Sequence, residues 1–109
     1  DKLLGLGVNE VYCISVNDGF VMNAWADQQN LRKVKVLPDG NGDFTRAMGM
    51  LVEKKHVGFG QRSWRYCAII NDGVVEKWWQ EEGMNNEGSD PDPYDQTTPE
   101  NCINYLSSQ

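Results

Sequence analysis

The pattern of apolar and polar positions predicts alternating short strands and helices in the first half of the chain. Residues 11–16 form a continuous apolar run of strand length, which is typical of a parallel strand covered on both faces. Apolar residues then recur at helical spacing over 20–29, with Asn17 or Asp18 placed to cap the first turn. A second short strand follows over 33–37.

A short helix and a connector are predicted next. Asp43 is placed to open a helix with Phe44, Ala47 and Met48 facing inward. Residues 51–57 have no clear period, so we interpret them as a connector.

The clearest local signal is a β-hairpin. Two runs of β-branched and aromatic residues, 65–70 and 74–79, flank an Asn-Asp-Gly turn, whose residue types tolerate the positive φ that tight turns require. Arg62 and Arg65 stand just before the first strand, so the predicted hairpin has a cation at its mouth.

The end of the chain predicts a loop and a last helix. Residues 81–96 are rich in acids, amides, Gly and Pro, so they are expected to be too polar to bury and to form a surface loop. Thr98 and Pro99 have the residue types of an N-cap and a first helical position, with Cys102 on the buried side of the helix that follows. The whole order, β-α-β-α-β-β-α, predicts one α/β domain.

Composition narrows the classes of function. The 109 residues carry a net charge of -6, which argues against a nucleic-acid partner. No run approaches the roughly 18 apolar residues that a membrane span requires. The three cysteines have neither CxxC spacing nor a histidine at ligand spacing, which disfavours a disulfide scaffold and a zinc site and favours a reducing compartment, the cytoplasm.

Two further residue patterns are expected to carry no chemistry. Residues 39–43 begin like a calcium loop, but Phe44 stands where the loop requires Gly and Met50 where it requires Glu. His56 has no carboxylate or cysteine at useful spacing and is expected to be solvated. We therefore expect no metal and no cofactor.

Several long segments resemble one family, the peroxiredoxins of the type II (fifth) subfamily, and in particular the bacterial form often fused to glutaredoxin. The segments that carry the resemblance are CISVND at 13–18, FVMNAW at 20–25, PDGNGDFT at 38–45, MGMLV at 48–52, GFGQRSWRY at 58–66 and NDGVVEKW at 71–78. The resemblance implies a thioredoxin-like fold. It also covers nearly the whole chain.

The resemblance also implies what this chain lacks. The family's peroxidatic cysteine lies in a Pro-rich stretch after a strand that belongs between 11–16 and 66–70, and no such stretch is present. Our hypothesis is that residues 1–109 are the C-terminal two-thirds of a single peroxiredoxin domain, without its N-terminal strands, central strand and peroxidatic-cysteine helix. It predicts two strand pairs, 11–16 with 33–37 and 65–70 with 74–79, separated by a strand-wide gap.

The resemblance assigns roles to individual residues. Arg65 matches the family's active-site arginine, which would lower the thiol pKa and hold the peroxide oxygens, whereas the sequence pattern alone would favour a solvated arginine. Arg62 is expected to brace the loop. Phe20 and Phe59 correspond to the active-site rim and the dimer contact, and the alternative that both are ordinary core residues is equally open.

The cysteines are expected to be structural. Cys13 and Cys67 lie inside strands, where a free thiol is usually a small buried hydrophobe. Cys102 falls on the apolar face of the last helix, and the family's resolving-cysteine position falls near Thr97 instead. This departure implies a one-cysteine cycle completed by an external thiol.

The function implied for the parent protein is that of a thiol-dependent peroxidase. It would reduce hydrogen peroxide and small alkyl hydroperoxides, with glutathione, glutaredoxin or thioredoxin as reductant, and would form a homodimer in the cytoplasm. The 109 residues alone are expected to be inactive, because the nucleophile is missing. The alternative from another class is a non-catalytic thioredoxin-like binding module.

Overall fold

The structure is a computed structural model that describes residues 2–30, 33–55, 58–86 and 93–108. Its elements, in chain order, are α1 Lys2–Gly5, β1 Val11–Ser15, α2 Gly19–Gln28, β2 Val34–Pro38, α3 Asp43–Ala47, β3 Leu51–Glu53, β4 Gln61–Ser63, β5 Tyr66–Asn71, β6 Val74–Gln80 and α4 Pro99–Ser107.

The two predicted strand pairs are present and separate. β1 pairs with β2 in parallel, and β5 pairs with β6 in antiparallel fashion. Within the described residues β1 and β5 belong to different two-stranded sheets, so the prediction that they do not pair is confirmed. Between them lies a cleft of approximately 1680 Å³, here called the central cleft, whose walls include Tyr12 and Ile14 of β1 and Cys67 and Ile69 of β5.

A third strand pair was not predicted. β3 pairs with β4 in antiparallel fashion, with Val52 opposite Arg62, so the interpretation of 51–57 as a plain connector is wrong for its first three residues. Val52 is 2% exposed and packs with Met50 and Trp64 in the main core cluster. A strand of three residues is too short to show a period in the sequence, yet burial of the Val52 side chain fixes it.

β1 and α2 are less buried than the sequence pattern predicted. Tyr12 in β1 is exposed, and the other residues of the strand are only half-buried, because one side of β1 opens onto the central cleft. In α2 the fully buried residue is Met22, whereas Val21 and Trp25 line the central cleft and stay exposed. Asp18 caps this helix as predicted, since its carboxylate accepts a hydrogen bond from the Val21 N–H at 2.8 Å.

The inward face assigned to α3 is wrong for Phe44 and Ala47, although Met48 packs against the core cluster. Phe44 and Ala47 are exposed and Met48 is half-buried, whereas Thr45 is 1% exposed. The Asp39 carboxylate accepts hydrogen bonds from the N–H and the hydroxyl of Thr45, at 2.8 and 2.6 Å. This polar anchor decides which side of the short helix faces inward.

The hairpin forms as predicted. Asp72 and Gly73 both have positive φ, of 53° and 78°, as a two-residue hairpin turn requires. Trp78 stacks on Tyr66 with the ring centroids 4.7 Å apart, and these two rings pack against the core cluster. The opposite face of the hairpin is covered by α4 through the edge-on contact of Trp79 with Tyr105.

None of the helices in the described part of the chain combines the length and the apolar character needed to cross a membrane.

Candidate functional site

Arg65 lies at the wall of the central cleft, immediately before β5, and its side chain is exposed. Its Nη1 donates a hydrogen bond to the Pro93 carbonyl oxygen at 2.9 Å. The guanidinium carbon lies 5.0 Å from the centre of the Tyr94 ring, within the range of a cation–π contact. The segment after the polar loop therefore orients the arginine that the sequence singled out.

That segment is held by Glu81, a residue that the sequence analysis placed in a surface loop. Glu81 is 1% exposed, so the expectation that 81–96 is too polar to bury is wrong at this position. Its carboxylate accepts hydrogen bonds from the N–H groups of Asp95, Gln96 and Thr97 and from the Thr97 hydroxyl, at 2.7 to 3.1 Å. Buried polar groups are tolerated when they are paired in this way.

The hydrogen bonds decide the charge state of Glu81. Burial raises the pKa of the carboxyl group, but the donors from 95–97 outweigh it and lower the pKa to about 2. The carboxylate is therefore ionised at neutral pH. No sequence signal pointed to it, because the donors lie 14 to 16 residues away and are mostly main-chain groups.

The main chain of Glu81 joins this anchor to the segment just before β5, where the arginine lies. The Glu81 N–H donates to the Arg65 carbonyl oxygen at 3.2 Å, and the Trp64 indole donates to the Glu81 carbonyl oxygen at 2.7 Å. Glu81 thus contacts Arg65 directly through its main chain, and it holds Pro93 and Tyr94 near Arg65 through its side chain.

Arg62 makes different contacts from those of Arg65, and they confirm its interpretation as a brace of the loop. Its Nη1 donates to the Val16 carbonyl oxygen at 2.6 Å and to the Asn17 side-chain oxygen at 2.7 Å, and its Nε donates to the Phe59 carbonyl oxygen at 2.9 Å. Arg62 therefore ties β4 and the loop before it to the end of β1.

Phe20 and Phe59 both lie at the surface. Phe20 is 89% exposed and Phe59 is 59% exposed, so the alternative that they are ordinary core residues is wrong. Phe59 lines a small hollow together with Asp18, the cap of the helix that begins next to Phe20. Their role at an active-site rim and a dimer contact stays a prediction.

The three cysteines lie where a structural thiol is expected. Cys102 is 7% exposed, and Cys13 and Cys67 are half-buried. Burial raises the pKa of Cys13 and raises that of Cys67 to about 11. Burial also raises the pKa of Cys102, partly offset by a hydrogen bond from Cys67. At neutral pH these groups are thiols rather than nucleophilic thiolates.

The sequence analysis also considered His56 and the loop that begins at Asp39. His56 lies outside the described residues. The Asp39 carboxylate, at the start of the loop that resembles a calcium site, accepts hydrogen bonds from Phe44 and Thr45 instead. Over residues 2–30, 33–55, 58–86 and 93–108, no group of three or more His, Cys, Asp or Glu is arranged to hold a metal ion.

Comparison with known proteins places these features in a family. The model of the Redoxin family matches residues 1–96. A peroxiredoxin of Rhizobium etli is 54% identical over 102 residues, which cover 94% of this chain and 56% of the relative. The hybrid peroxiredoxin hyPrx5 of Haemophilus influenzae is 45% identical over 103 residues, covering 94% of this chain and 41% of the relative.

Two solved structures also superimpose closely on this chain. The Plasmodium falciparum antioxidant protein, a 1-Cys peroxiredoxin, superimposes with a TM-score of 0.88 at 34% identity, over 94% of this chain and 57% of that chain. Reduced Prx3 of Vibrio vulnificus in complex with hydrogen peroxide superimposes with a TM-score of 0.84 at 35% identity, over 98% of this chain and 61% of that chain. The chain thus spans 41 to 61% of the length of these four proteins.

The predicted fold class is confirmed, because an α/β thioredoxin-like peroxiredoxin fold matches along nearly the whole chain and the small separate sheets are consistent with an incomplete version of it. The chain belongs to the Redoxin family, and within it to the peroxiredoxins of the type II (fifth) subfamily.

Proposed function

We propose that residues 1–109 form the arginine side of a thiol peroxidase that reduces hydrogen peroxide and small alkyl hydroperoxides. The nucleophilic cysteine would come from a segment of the same protein that this sequence does not contain. The observation that carries the proposal is Arg65, placed at the wall of the central cleft and held by the Glu81 anchor. The peroxiredoxins matched by this chain support it.

Arg65 suits the chemistry in two ways. In the proposed step a cysteine thiolate attacks one peroxide oxygen, the O–O bond breaks, a sulfenic acid forms, and the second oxygen leaves as water or alcohol after gaining a proton. A planar guanidinium offers several donors in a fixed arrangement, so it can stabilise the thiolate and the charge that develops on the departing oxygen.

None of the chain's own cysteines suits the nucleophile's role. Cys13 and Cys67 lie within strands, and Cys102 is buried in α4. The pKa values of all of them are raised by burial, the opposite of what a peroxidatic cysteine requires.

The proposal extends to an external reductant. The position near which the family places a resolving cysteine is Thr97, whose N–H and hydroxyl are both bound to Glu81. A sulfenic acid formed in the proposed site would therefore be reduced by glutathione, glutaredoxin or thioredoxin. We further propose a cytoplasmic homodimer, in which the exposed Phe20 and Phe59 lie near the contact.

A chimera tests the proposal. The segment that precedes the matched region in the Rhizobium etli relative would be joined ahead of residues 1–109, and peroxide consumption with glutathione and glutaredoxin would be measured for the chimera and for the 109-residue chain. We expect turnover by the chimera only. Arg65→Gln should lower kcat/KM of the chimera by roughly 100- to 1000-fold, and Arg65→Lys by less, because one well-placed donor to a developing anion contributes about that much.

Arg46→Gln is the matched control, since Arg46 is exposed and forms a salt bridge with neighbouring Asp43 at 3.0 Å. It removes the same charge and should leave turnover unchanged. Catalytic turnover by the 109-residue chain alone would contradict the absence of a nucleophile. A folded chimera without peroxidase activity would favour the non-catalytic binding module instead.

A further inference from the structure

One short segment, residues 93–97, links the arginine of the proposed site to the rest of the fold and is here called the support segment. At its start, Pro93 accepts a hydrogen bond from Arg65 at 2.9 Å and the Tyr94 ring lies 5.0 Å from the guanidinium carbon. At its end, Thr97 lines the central cleft together with Arg65. Neither Pro93 nor Tyr94 lines the cleft, so the segment supports the arginine without taking up space there.

Two side chains from different elements hold the support segment. The buried carboxylate of Glu81, just after β6, accepts hydrogen bonds from three of its main-chain N–H groups and from the Thr97 hydroxyl, at 2.7 to 3.1 Å. The side-chain amide of Asn101, in the first turn of α4, donates to the carbonyl oxygens of Gln96 at 2.7 Å and Asp95 at 3.3 Å. The segment is therefore bound through both its N–H groups and its carbonyl groups.

We propose that Glu81 and Asn101 are positioning residues for the peroxide reaction and act on it through Arg65. The inference rests on the proposed function, because it assigns both residues a role at that same site. Arg65 is exposed, and an exposed arginine side chain has many accessible rotamers, whose number fixed partners reduce. A guanidinium stabilises a developing negative charge best when it is in place before the reaction begins.

These two side chains can be changed without removing the main-chain bonds of the hairpin. The Glu81 N–H donates to the Arg65 carbonyl oxygen, and β6 ends at Gln80, which pairs with Tyr66. Glu81→Gln keeps the size of the side chain and these main-chain bonds, but it replaces one acceptor oxygen by an amide group that cannot accept from the segment's N–H groups. Asn101→Ala removes the contact from α4 instead, so the two variants loosen the support segment through separate elements.

The first test is a double-mutant cycle in the chimera. With Arg65 present, Glu81→Gln should lower kcat/KM for hydrogen peroxide by roughly 10- to 100-fold, because a small misplacement of a catalytic donor costs about that much. Asn101→Ala should cost less, since hydrogen bonds between neutral groups are weaker than those to a carboxylate. In the Arg65→Gln background each change should cost less than about twofold, because residues that act through one group add nothing once it is gone. Glu82→Gln, at the exposed neighbouring position, is the matched control and should leave kcat/KM unchanged.

The second test follows the position of Arg65 without any turnover. In the 109-residue chain, the Tyr94 ring should shift the NMR signals of the Arg65 side-chain protons upfield, because the guanidinium lies over that ring. Glu81→Gln and Asn101→Ala should move these signals toward the values of the unfolded chain. Tyr94→Leu removes the ring and gives the signals in its absence. Circular dichroism would establish that each variant is folded.

The outcomes separate the positioning role from the proposed function. An active chimera whose kcat/KM is unchanged by both Glu81→Gln and Asn101→Ala would overturn the positioning role alone. Equal losses with and without Arg65 would also overturn it, because they would reflect general damage to the fold. An inactive parent chimera would contradict the proposed function and with it any role in catalysis, while the Arg65 signals would still show whether the two residues hold the guanidinium in place.

Discussion

At the scale of single residues, Glu81 rather than Arg65 holds the site together. Arg65 is exposed and makes its contacts with Pro93 and Tyr94 at the surface. Glu81 is buried, and both its main chain and its carboxylate are engaged. An exposed cation is positioned well only when its partners are fixed, so the buried carboxylate determines where the guanidinium points.

The lowered pKa of Glu81 predicts acid sensitivity. Its pKa is about 2 in the folded chain, against an ordinary value of 4.5. A depressed carboxyl pKa contributes stability that is fully present above the unfolded value and is lost as pH falls through the folded value. Urea unfolding midpoints should therefore decline between about pH 4.5 and pH 2, because protonation removes the acceptor of the 95–97 donors. Glu81→Gln should lower the midpoint at pH 7 and flatten this part of the profile.

Glu82→Gln is the matched control, because it removes the same charge at the neighbouring position, where the residue is exposed. It should keep the acid decline of the parent chain. Equal profiles for the parent chain and Glu81→Gln would show that this carboxylate does not couple folding to pH.

At the scale of elements, the two longest helices begin differently. Asp18 caps α2 with a hydrogen bond to Val21, whereas Thr98 at the start of α4 makes no such side-chain bond. Asp18→Ala should therefore lower the free energy of unfolding by about 1 kcal/mol, and Thr98→Ala by clearly less. Urea titrations at pH 7 would compare them, and a larger loss for Thr98→Ala would contradict the assignment of the caps.

The elements that could be predicted from sequence are those with a local cause. The β5–β6 turn follows from the residue types of Asp72 and Gly73, and the start of α2 follows from a cap next to an apolar repeat. The β3–β4 pair could not be predicted, because its strands have three residues each and depend on burial of Val52 against Trp64. The face of α3 was wrong for a different reason: the Asp39 carboxylate, six residues before Thr45, holds that residue inward through two hydrogen bonds, which no apolar pattern reveals.

In the candidate site, too, one residue could be found from the sequence and another could not. Arg65 was found by resemblance to a family, because sequence segments carry that information directly. Glu81 was missed, since an acidic residue beside a polar loop is usually solvated and its donors lie 14 to 16 residues further on.

At the scale of the whole molecule, the central cleft is the feature that most needs a partner. β1 and β5 each pair on one side only within the described residues, so one edge of each strand faces the cleft. Unpaired strand edges and exposed apolar side chains, here including Trp25 and Phe44, favour association with another strand. The relatives are nearly twice as long as the matched region, which agrees with the proposal that a further segment of the protein fills this cleft.

Hydrogen exchange tests whether a further segment of the protein fills the central cleft. In the 109-residue chain, the N–H groups of β1 and β5 that face the cleft should exchange quickly and an apolar dye should bind. In the chimera with the preceding segment of the Rhizobium etli relative, the same N–H groups should exchange at least about tenfold more slowly, because they gain strand partners, and dye binding should fall. None of the residues of β3 is among those that line the cleft, so its N–H groups should change little and serve as the internal control. Equal exchange at β1 and β5 in both proteins would mean that the cleft is not the place where the two parts meet.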